Sequence, residues 1–309
     1  MKKLITILIP VYNEEGNVPA ITKAVQEIFK DLNFNFEIVF VNDGSADNSL
    51  SIIKETASTQ NNIFYISFSR NFGKDNALLA GFKYSNGDAI ITIDADMQHP
   101  PEMIPQMLEL WEQGNDVVYT HREDKNEHAS NFNQLSSKMF YRLVNNLSDI
   151  ELEDGIADYR LLDRKVVDVF NNLHEDRPFF RGLVKWVGFQ QIAIPYTPNP
   201  RIAGESKYSN RALTRLALQG ITSFSVKPLT IAIYMGLTFS VLSTLYIPYV
   251  LISLYKGYAI SGWTSIIVTI AFFGGLQLMI LGILGIYLGK LFMQSKQRPH
   301  FIVKESNLV

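Results

Sequence analysis

Two carboxylates one residue apart, with an amide two positions on, stand in Asp94-Ala95-Asp96-Met97-Gln98. Such oxygens can share a hard divalent cation, Mg²⁺ or Mn²⁺, whose remaining positions go to diphosphate oxygens. A lone Asp-x-Asp arises by chance, but here Ile90, Ile91 and Ile93 lead into it. Carboxylates that close to a core need a cation or a proton to persist there. The Gly and Glu of a calcium-binding EF-hand loop are missing at their spacings. Upstream, Asn42-Asp43-Gly44-Ser45 ends another apolar run. Asp43 could accept from a base N–H or a ribose hydroxyl and Ser45 could cap the next helix, although Asp-Gly-Ser also suits a plain turn. In Ser69-Arg70-Asn71-Phe72-Gly73-Lys74, two cations and a glycine precede a helix, an arrangement that suits an anion or simple solvation. The histidines at 99, 121, 128, 174 and 300 have no metal-ligand spacing and read as structural or surface residues; His99, following the acidic motif, is a candidate support for it. The chain has no cysteine, which excludes disulfides, thiolate metal sites and cysteine nucleophiles.

The elements that must position these residues alternate. Short, β-branched runs at Leu4–Ile9, Glu37–Val41, Ile63–Ser67, Ala89–Ile93 and Asp116–Tyr119 predict strands buried on both faces. Amphipathic stretches around 17–30, 47–58, 74–85 and 101–113 predict the helices between them. The pattern is βαβαβ, hence a largely parallel sheet whose ligands lie at the carboxyl ends of the strands. The first such end reads Pro10-Val-Tyr-Asn-Glu-Glu15, with neither the Gly-rich dinucleotide fingerprint nor a Walker A loop. The apolar start Leu4–Val11 is too short for a signal peptide and has no small-residue cleavage site.

The 309 residues carry 28 Lys+Arg against 30 Asp+Glu, a balance that argues against a nucleic-acid partner. These charges are unevenly spread. Between Pro228 and Gly289 there is one, Lys256. A helix crossing a hydrocarbon core needs about 20 apolar residues, so this segment predicts two spans, near 229–253 and 265–289. Arg201, Lys207, Arg211, Arg215 and Lys227 face a single acid, Glu205, before the first span; Lys290, Lys296, Arg298 and Lys304 follow the second. Positive flanks predict that both termini and the body lie in the cytoplasm, on a multi-pass protein of the inner membrane. Leu213, Leu216, Ala217, Gly220, Ile221 and Phe224 form a stripe that suits an amphipathic helix, either in the headgroup plane or packed on the body. Gly285 and Gly289 form a GxxxG that would permit homo-oligomers through the spans.

Taken in order, these segments resemble the family 2 glycosyltransferases of GT-A fold, and more narrowly the polyprenyl-phosphate glycosyltransferases of the bactoprenol glucosyltransferase and dolichol-phosphate mannose synthase type. Asp158-Tyr-Arg-Leu-Leu-Asp-Arg164 and Arg201-Ile-Ala-Gly-Glu-Ser-Lys-Tyr208 match two further motifs of that family, and the resemblance runs over about 1–295. It implies a cytoplasmic GT-A domain over 1–208, Rossmann-like with a mostly parallel sheet. A juxtamembrane helix at 209–227, two transmembrane helices within 228–290 and a cytoplasmic tail at 291–309 would follow. Pro10, Tyr12, Glu14, Asp43, Lys74 and Asp94 would bind the nucleotide-sugar. Asp94, Asp96 and Gln98 would hold Mg²⁺ or Mn²⁺, while Arg122, Arg201, Ser206 and Lys207 would surround phosphates. Asp158 would be the catalytic carboxylate. The segment after Arg122 reads Glu-Asp-Lys-Asn-Glu-His, less basic than the family's, and Asn133 stands where Lys is usual. The mark of processive synthases, Q-x-x-R-W, is absent, so the expectation is a single transfer.

The expected reaction moves one sugar, with inversion, from a nucleotide-sugar such as UDP-glucose to undecaprenyl phosphate at the cytoplasmic face. The acceptor phosphate is largely dianionic at pH 7 and has little need of a base. Asp158 would therefore act first by orienting an arginine or the acceptor, and second as a base. A salt bridge to Arg160 or Arg164 is its purely structural alternative. Another sugar, another lipid acceptor such as a diacylglycerol, or a catalytically silent membrane scaffold are the competing functions.

Overall fold

A computed structural model of the chain describes residues 2–122, 147, 156–173, 175, 179–197, 220–257 and 262–308. Its centre is an eight-stranded sheet: β1 Leu4–Val11, β2 Asn35–Asn42, β3 Ile63–Phe68, β4 Ala89–Thr92, β5 Val117–Arg122, β6 Ile156–Asp163, β7 Gln191–Tyr196 and β8 Val303–Ser306. The strand order is β7-β5-β6-β4-β1-β2-β3-β8. The pairs β4–β1, β1–β2, β2–β3 and β5–β7 are parallel. β6 enters antiparallel between β4 and β5, and β8 runs antiparallel along β3.

Alternation along β1 shows why the strands read as continuous apolar runs. Ile5, Ile7 and Ile9 face one buried cluster while Leu8 faces the other. The first cluster is covered by α1 (Val18–Phe29) and α4 (Ile104–Glu112), with Ile53 of α2 (Ser49–Thr59). The second lies under α3 (Lys74–Tyr84), α5 (Arg164–Asn171) and α6 (Phe180–Trp186). Both faces are closed, as a parallel sheet requires. Because β1, β2 and β4 run the same way, Pro10, Asn42 and Ile93 end at one edge. The loops beyond them therefore meet.

Two long helices follow, α7 Lys227–Tyr255 and α8 Trp263–Ser295. Within them Lys227–Ser253 and Phe272–Ser295 are long and apolar enough to cross a membrane, and the most apolar window of each has no buried residue. The helix Trp263–Ser295 contains the whole of the second stretch that the sequence pattern marks, 265–289. Leu245 and Leu278 are 69% and 70% exposed, which is costly in water and ordinary in lipid. Phe239 of α7 meets Phe272 and Phe273 of α8 edge to face. The described end of the juxtamembrane stripe, Gly220–Phe224, is helical and packs on the body, with the Phe224 ring 6.2 Å from that of Phe179. Tyr287 Oη donates to the Ser225 carbonyl and Lys290 Nζ to Ser223 Oγ, so the foot of α8 stands beside the entry to α7.

Candidate active site

The loops after β1 and β2 are stitched together. The amides of Asn13, Glu14 and Glu15 donate to Ser45 Oγ, Ser49 Oγ and Asp47 Oδ2. In return Asn13 Oδ1 accepts from Ala46 N–H and Glu15 Oε2 from Asn48 N–H. Ser45 thus holds the β1 loop and does not cap α2, whose N-cap residue is Asn48. The cap was expected from local spacing alone, and a partner 32 residues away took the hydroxyl instead.

Beyond these loops lies a pocket of about 290 Å³ lined by Pro10, Val11, Tyr12, Glu14, Asp43, Asn71, Gly73, Lys74, Asp94, Ala95 and Asp96. All six residues expected to bind a nucleotide-sugar line it. Tyr12 is 41% exposed and offers its ring at the rim. Asp43 is buried, and its two carboxylate oxygens accept the amides of Phe72 at 2.6 Å and Gly73 at 2.9 Å. Burial raises its pKa, against the pull of those amides. Asp43 therefore fastens the Ser69–Gly73 loop as well as lining the pocket.

Lys74 begins α3 and reaches across the strand ends. Its Nζ lies 2.6 Å from Asp94 Oδ1 and 3.1 Å from Asp158 Oδ2. Burial opposes its charge, but Asp158 and Asp94 outweigh that and hold it protonated beyond the ordinary lysine range. For Asp94, burial would raise the pKa; Lys74 and His99 together hold it well below the usual carboxylate range. His99 Nε2 is 3.3 Å from Asp94 Oδ2, and its ring sits between those of Tyr159 and Tyr196. The sequence expectation that His99 supports the acidic motif matches this placement.

Asp158, on β6, is the most heavily paired carboxylate among the described residues. Arg181 of α6 grips it with a two-pronged fork, Nε to Oδ1 at 2.9 Å and Nη2 to Oδ2 at 3.0 Å. Arg160 approaches at 3.6 Å and is itself only 2% exposed. Burial lowers Arg160 to about 10, and its guanidinium lies over the Phe180 ring. Against the burial penalty, Lys74 and Arg181 keep Asp158 ionised far below the usual range. Arg164, the other expected partner, turns away to the carbonyls of Ser85 and Gly87. Arg181 is the residue that sequence reasoning missed.

Asp96 lines the pocket one residue beyond Asp94, and its Oδ1 accepts the Gln98 amide. Gln98 is outside the pocket lining, and Arg122 stands exposed at the end of β5 beside Tyr196. Arg201, Ser206 and Lys207 lie outside the described residues. Among the described residues no three His, Asp or Glu side chains converge as a metal site. Two all-oxygen donors on one wall of a pocket still fit a hard cation that takes its other ligands from phosphate and water. Asp94 also carries Lys74 and His99.

An α/β sheet with a polar pocket at its strand ends is a common setting for a bound ligand, and residues 6–170 match the model of Glycosyl transferase family 2. The chain belongs to that family and has its GT-A fold. It is 42% identical over 302 residues to the uncharacterized glycosyltransferase YkcC of Bacillus subtilis, covering 97% of this chain and 93% of that one. To the bactoprenol glucosyl transferase of Shigella phage SfV it is 40% identical over 301 residues, 97% and 98% of the two chains. To the prophage bactoprenol glucosyl transferase homolog of Escherichia coli it is 38% identical over the same shares.

Proposed function

We propose that this glycosyltransferase moves a single sugar, with inversion, from a nucleotide-sugar to a polyprenyl phosphate at the cytoplasmic face of the membrane, with UDP-glucose as donor and undecaprenyl phosphate as acceptor. The observation that carries this reading is the convergence of Asp43, Lys74, Asp94 and Asp96 on one pocket, with Asp158 in the grip of Arg181 beside it. Tyr12 and Asp43 take the nucleoside. Lys74, already turned toward the pocket, meets the donor diphosphate. A Mg²⁺ or Mn²⁺ ion held by Asp94 and Asp96 would neutralise charge on the departing diphosphate.

In the transfer, a phosphate oxygen of the acceptor forms a bond to the anomeric carbon as the bond to the nucleotide diphosphate breaks. The electron pair leaves with the diphosphate, whose new charge Lys74 stabilises. The attacking oxygen is already anionic, so no proton need be removed. Asp158, its pKa held against burial well below the usual carboxylate range by Lys74 and Arg181, fixes those two cations in place for the two phosphates. Homology to bactoprenol glucosyl transferases over nearly the whole chain supports the acceptor class. The two exposed apolar helices support membrane attachment.

The test incubates membranes holding the full chain with labelled UDP-glucose, GDP-mannose and other donors plus polyprenyl phosphate. It is run with and without EDTA, wild type beside Asp96→Ala. A lipid-linked sugar that forms in wild type and disappears with EDTA or in Asp96→Ala is expected. Failure of every donor to give a metal-dependent lipid-linked sugar overturns the reading.

A further inference from the structure

The segment after α8 returns to the body beside the loop that lines the pocket and then runs back along β3. β8 is clasped to β3 through Ile66–Ser306, Ser67–Glu305 and Phe68–Val303, with a register shift between Ser67 and Phe68. Asn307 secures the far end: its Oδ1 accepts the Tyr65 amide and its Nδ2 donates to the Ile63 carbonyl. Lys54 and Glu305 pair alongside. At the near end the tail continues past the end of β3, where the Ile302 carbonyl accepts the amide of Ser69. The Phe301 ring lies face to face with Phe68, centroids 5.1 Å apart, and Tyr84 borders it at 6.5 Å.

These contacts lead to the pocket in two steps. Phe68 meets Phe72 edge to face at 5.7 Å. The amides of Phe72 and its neighbour Gly73 are the two that hold the Asp43 carboxylate. The Ser69–Gly73 loop therefore has one anchor in Asp43 and a second in the C-terminal tail. Stacked and edge-on rings transmit position because each has a preferred geometry.

From this we infer that Phe301 is a positioning residue for the donor pocket. Through Phe68 and Phe72 it holds the Ser69–Gly73 loop, and so Asp43 and the start of α3 at Lys74, in the conformation that receives a nucleoside diphosphate. The inference rests on the reading that the pocket takes such a donor. It also makes the chain that leaves α8 part of the pocket's outer support.

The experiment uses the full chain in lipid nanodiscs, as wild type, Phe301→Ala and Phe301→Tyr. UDP and GDP serve as binding probes, donor KM and kcat are measured, and hydrogen exchange is followed at the Phe72 and Gly73 amides. Phe301→Ala is expected to weaken probe binding and raise donor KM by about tenfold, the size of one lost ring contact, with kcat within about twofold. Exchange at Phe72 and Gly73 should quicken while β1 and β2 keep their protection, and Phe301→Tyr should restore both readouts. Unchanged exchange at those two amides overturns the inference. So does faster exchange throughout the sheet, which would mark general destabilisation. If wild type binds neither probe, the donor reading fails by itself, and the exchange measurement alone decides whether Phe301 positions the loop.

Discussion

A carboxylate forked by Arg181 at 2.9 and 3.0 Å, with Lys74 at 3.1 Å, is a poor proton acceptor. Two of the roles open to Asp158 are thereby separated: it can orient cations, and it cannot titrate near neutrality. Asp158→Asn keeps the shape but releases the fork, so turnover should fall by about 10²-fold or more. Arg181→Lys keeps the charge and loses one prong, at a cost of about tenfold. In neither variant should the pH–rate profile between 5.5 and 8 change shape; the loss of a limb in Asp158→Asn would restore the base. Asp75, next to Lys74, behaves in the opposite way. Burial first, and Asp158 second, push its carboxyl up to about 6, while it accepts the Phe180 amide at the start of α6. A raised value means that the folded state favours the neutral acid. The stability this contributes is complete below about pH 3.8 and is lost as pH rises through 6. Asp75→Asn can still accept the Phe180 amide without carrying a charge. Its advantage in Tm over wild type should grow from pH 4.5 to about 6 and then level off. A difference constant from pH 4.5 to 8 contradicts that account.

At the scale of elements, the joint between the β2 loop and the loop after β3 is the most sensitive to a single methyl group. Gly44 has φ +66°, and a Cβ there would lie 2.4 Å from the Arg70 carbonyl carbon and 2.7 Å from the Asn71 nitrogen. Both atoms are backbone and cannot rotate away. Gly44→Ala should therefore displace the Ser69–Gly73 loop, with a loss of stability of about 1–3 kcal/mol and of nucleotide binding together. Normal binding of UDP by this variant would show that the loop has other freedom. The same elements show how far the sequence could be read. Strands β1 to β5 and helices α1 to α4 fall within a few residues of their apolar runs and amphipathic stretches, because burial on both faces writes itself into composition. The antiparallel insertion of β6 and the return of β8 did not show. Val303-Lys-Glu-Ser306 has no apolar run, and its pairing comes from backbone groups, Asn307 and Glu305. Arg181 stayed hidden for a related reason: it lies 23 residues from Asp158 in a stretch without a motif, and only the packing of α6 brings the two together. Asp43, Lys74, Asp94 and Asp96 were legible because each stands directly after a strand or opens the following helix.

For the whole molecule, β8 constrains topology more firmly than the flanking charges do. Val303–Ser306 is a strand of the same sheet as Leu4–Val11, so the chain on either side of the α7–α8 hairpin must lie on one side of any membrane. The contacts Tyr287–Ser225 and Lys290–Ser223 bring the two feet of the hairpin together, as an even number of crossings demands. With 29 and 33 residues, α7 and α8 are about 44 and 50 Å long, enough for a core of about 30 Å with the ends in the headgroups. Lys256, the one charge between Pro228 and Gly289, then falls on the far side from the pocket. The absence of native cysteines makes this directly measurable, since any introduced thiol is the sole target. In intact cells Lys256→Cys should react with a membrane-impermeant maleimide. Lys304→Cys, exposed on β8, should react only after permeabilisation. Labelling of Lys304→Cys in intact cells would place the body outside, where no nucleotide-sugar is made. Protection of both until lysis would mean that the hairpin does not cross at all. If the hairpin crosses as proposed, a body held by both its feet would search for the proposed lipid phosphate in two dimensions, not three. The proposed donor pocket and the apolar hairpin are then joined through the segment after α8, since the strand that follows α8 also borders the loop beside Asp43.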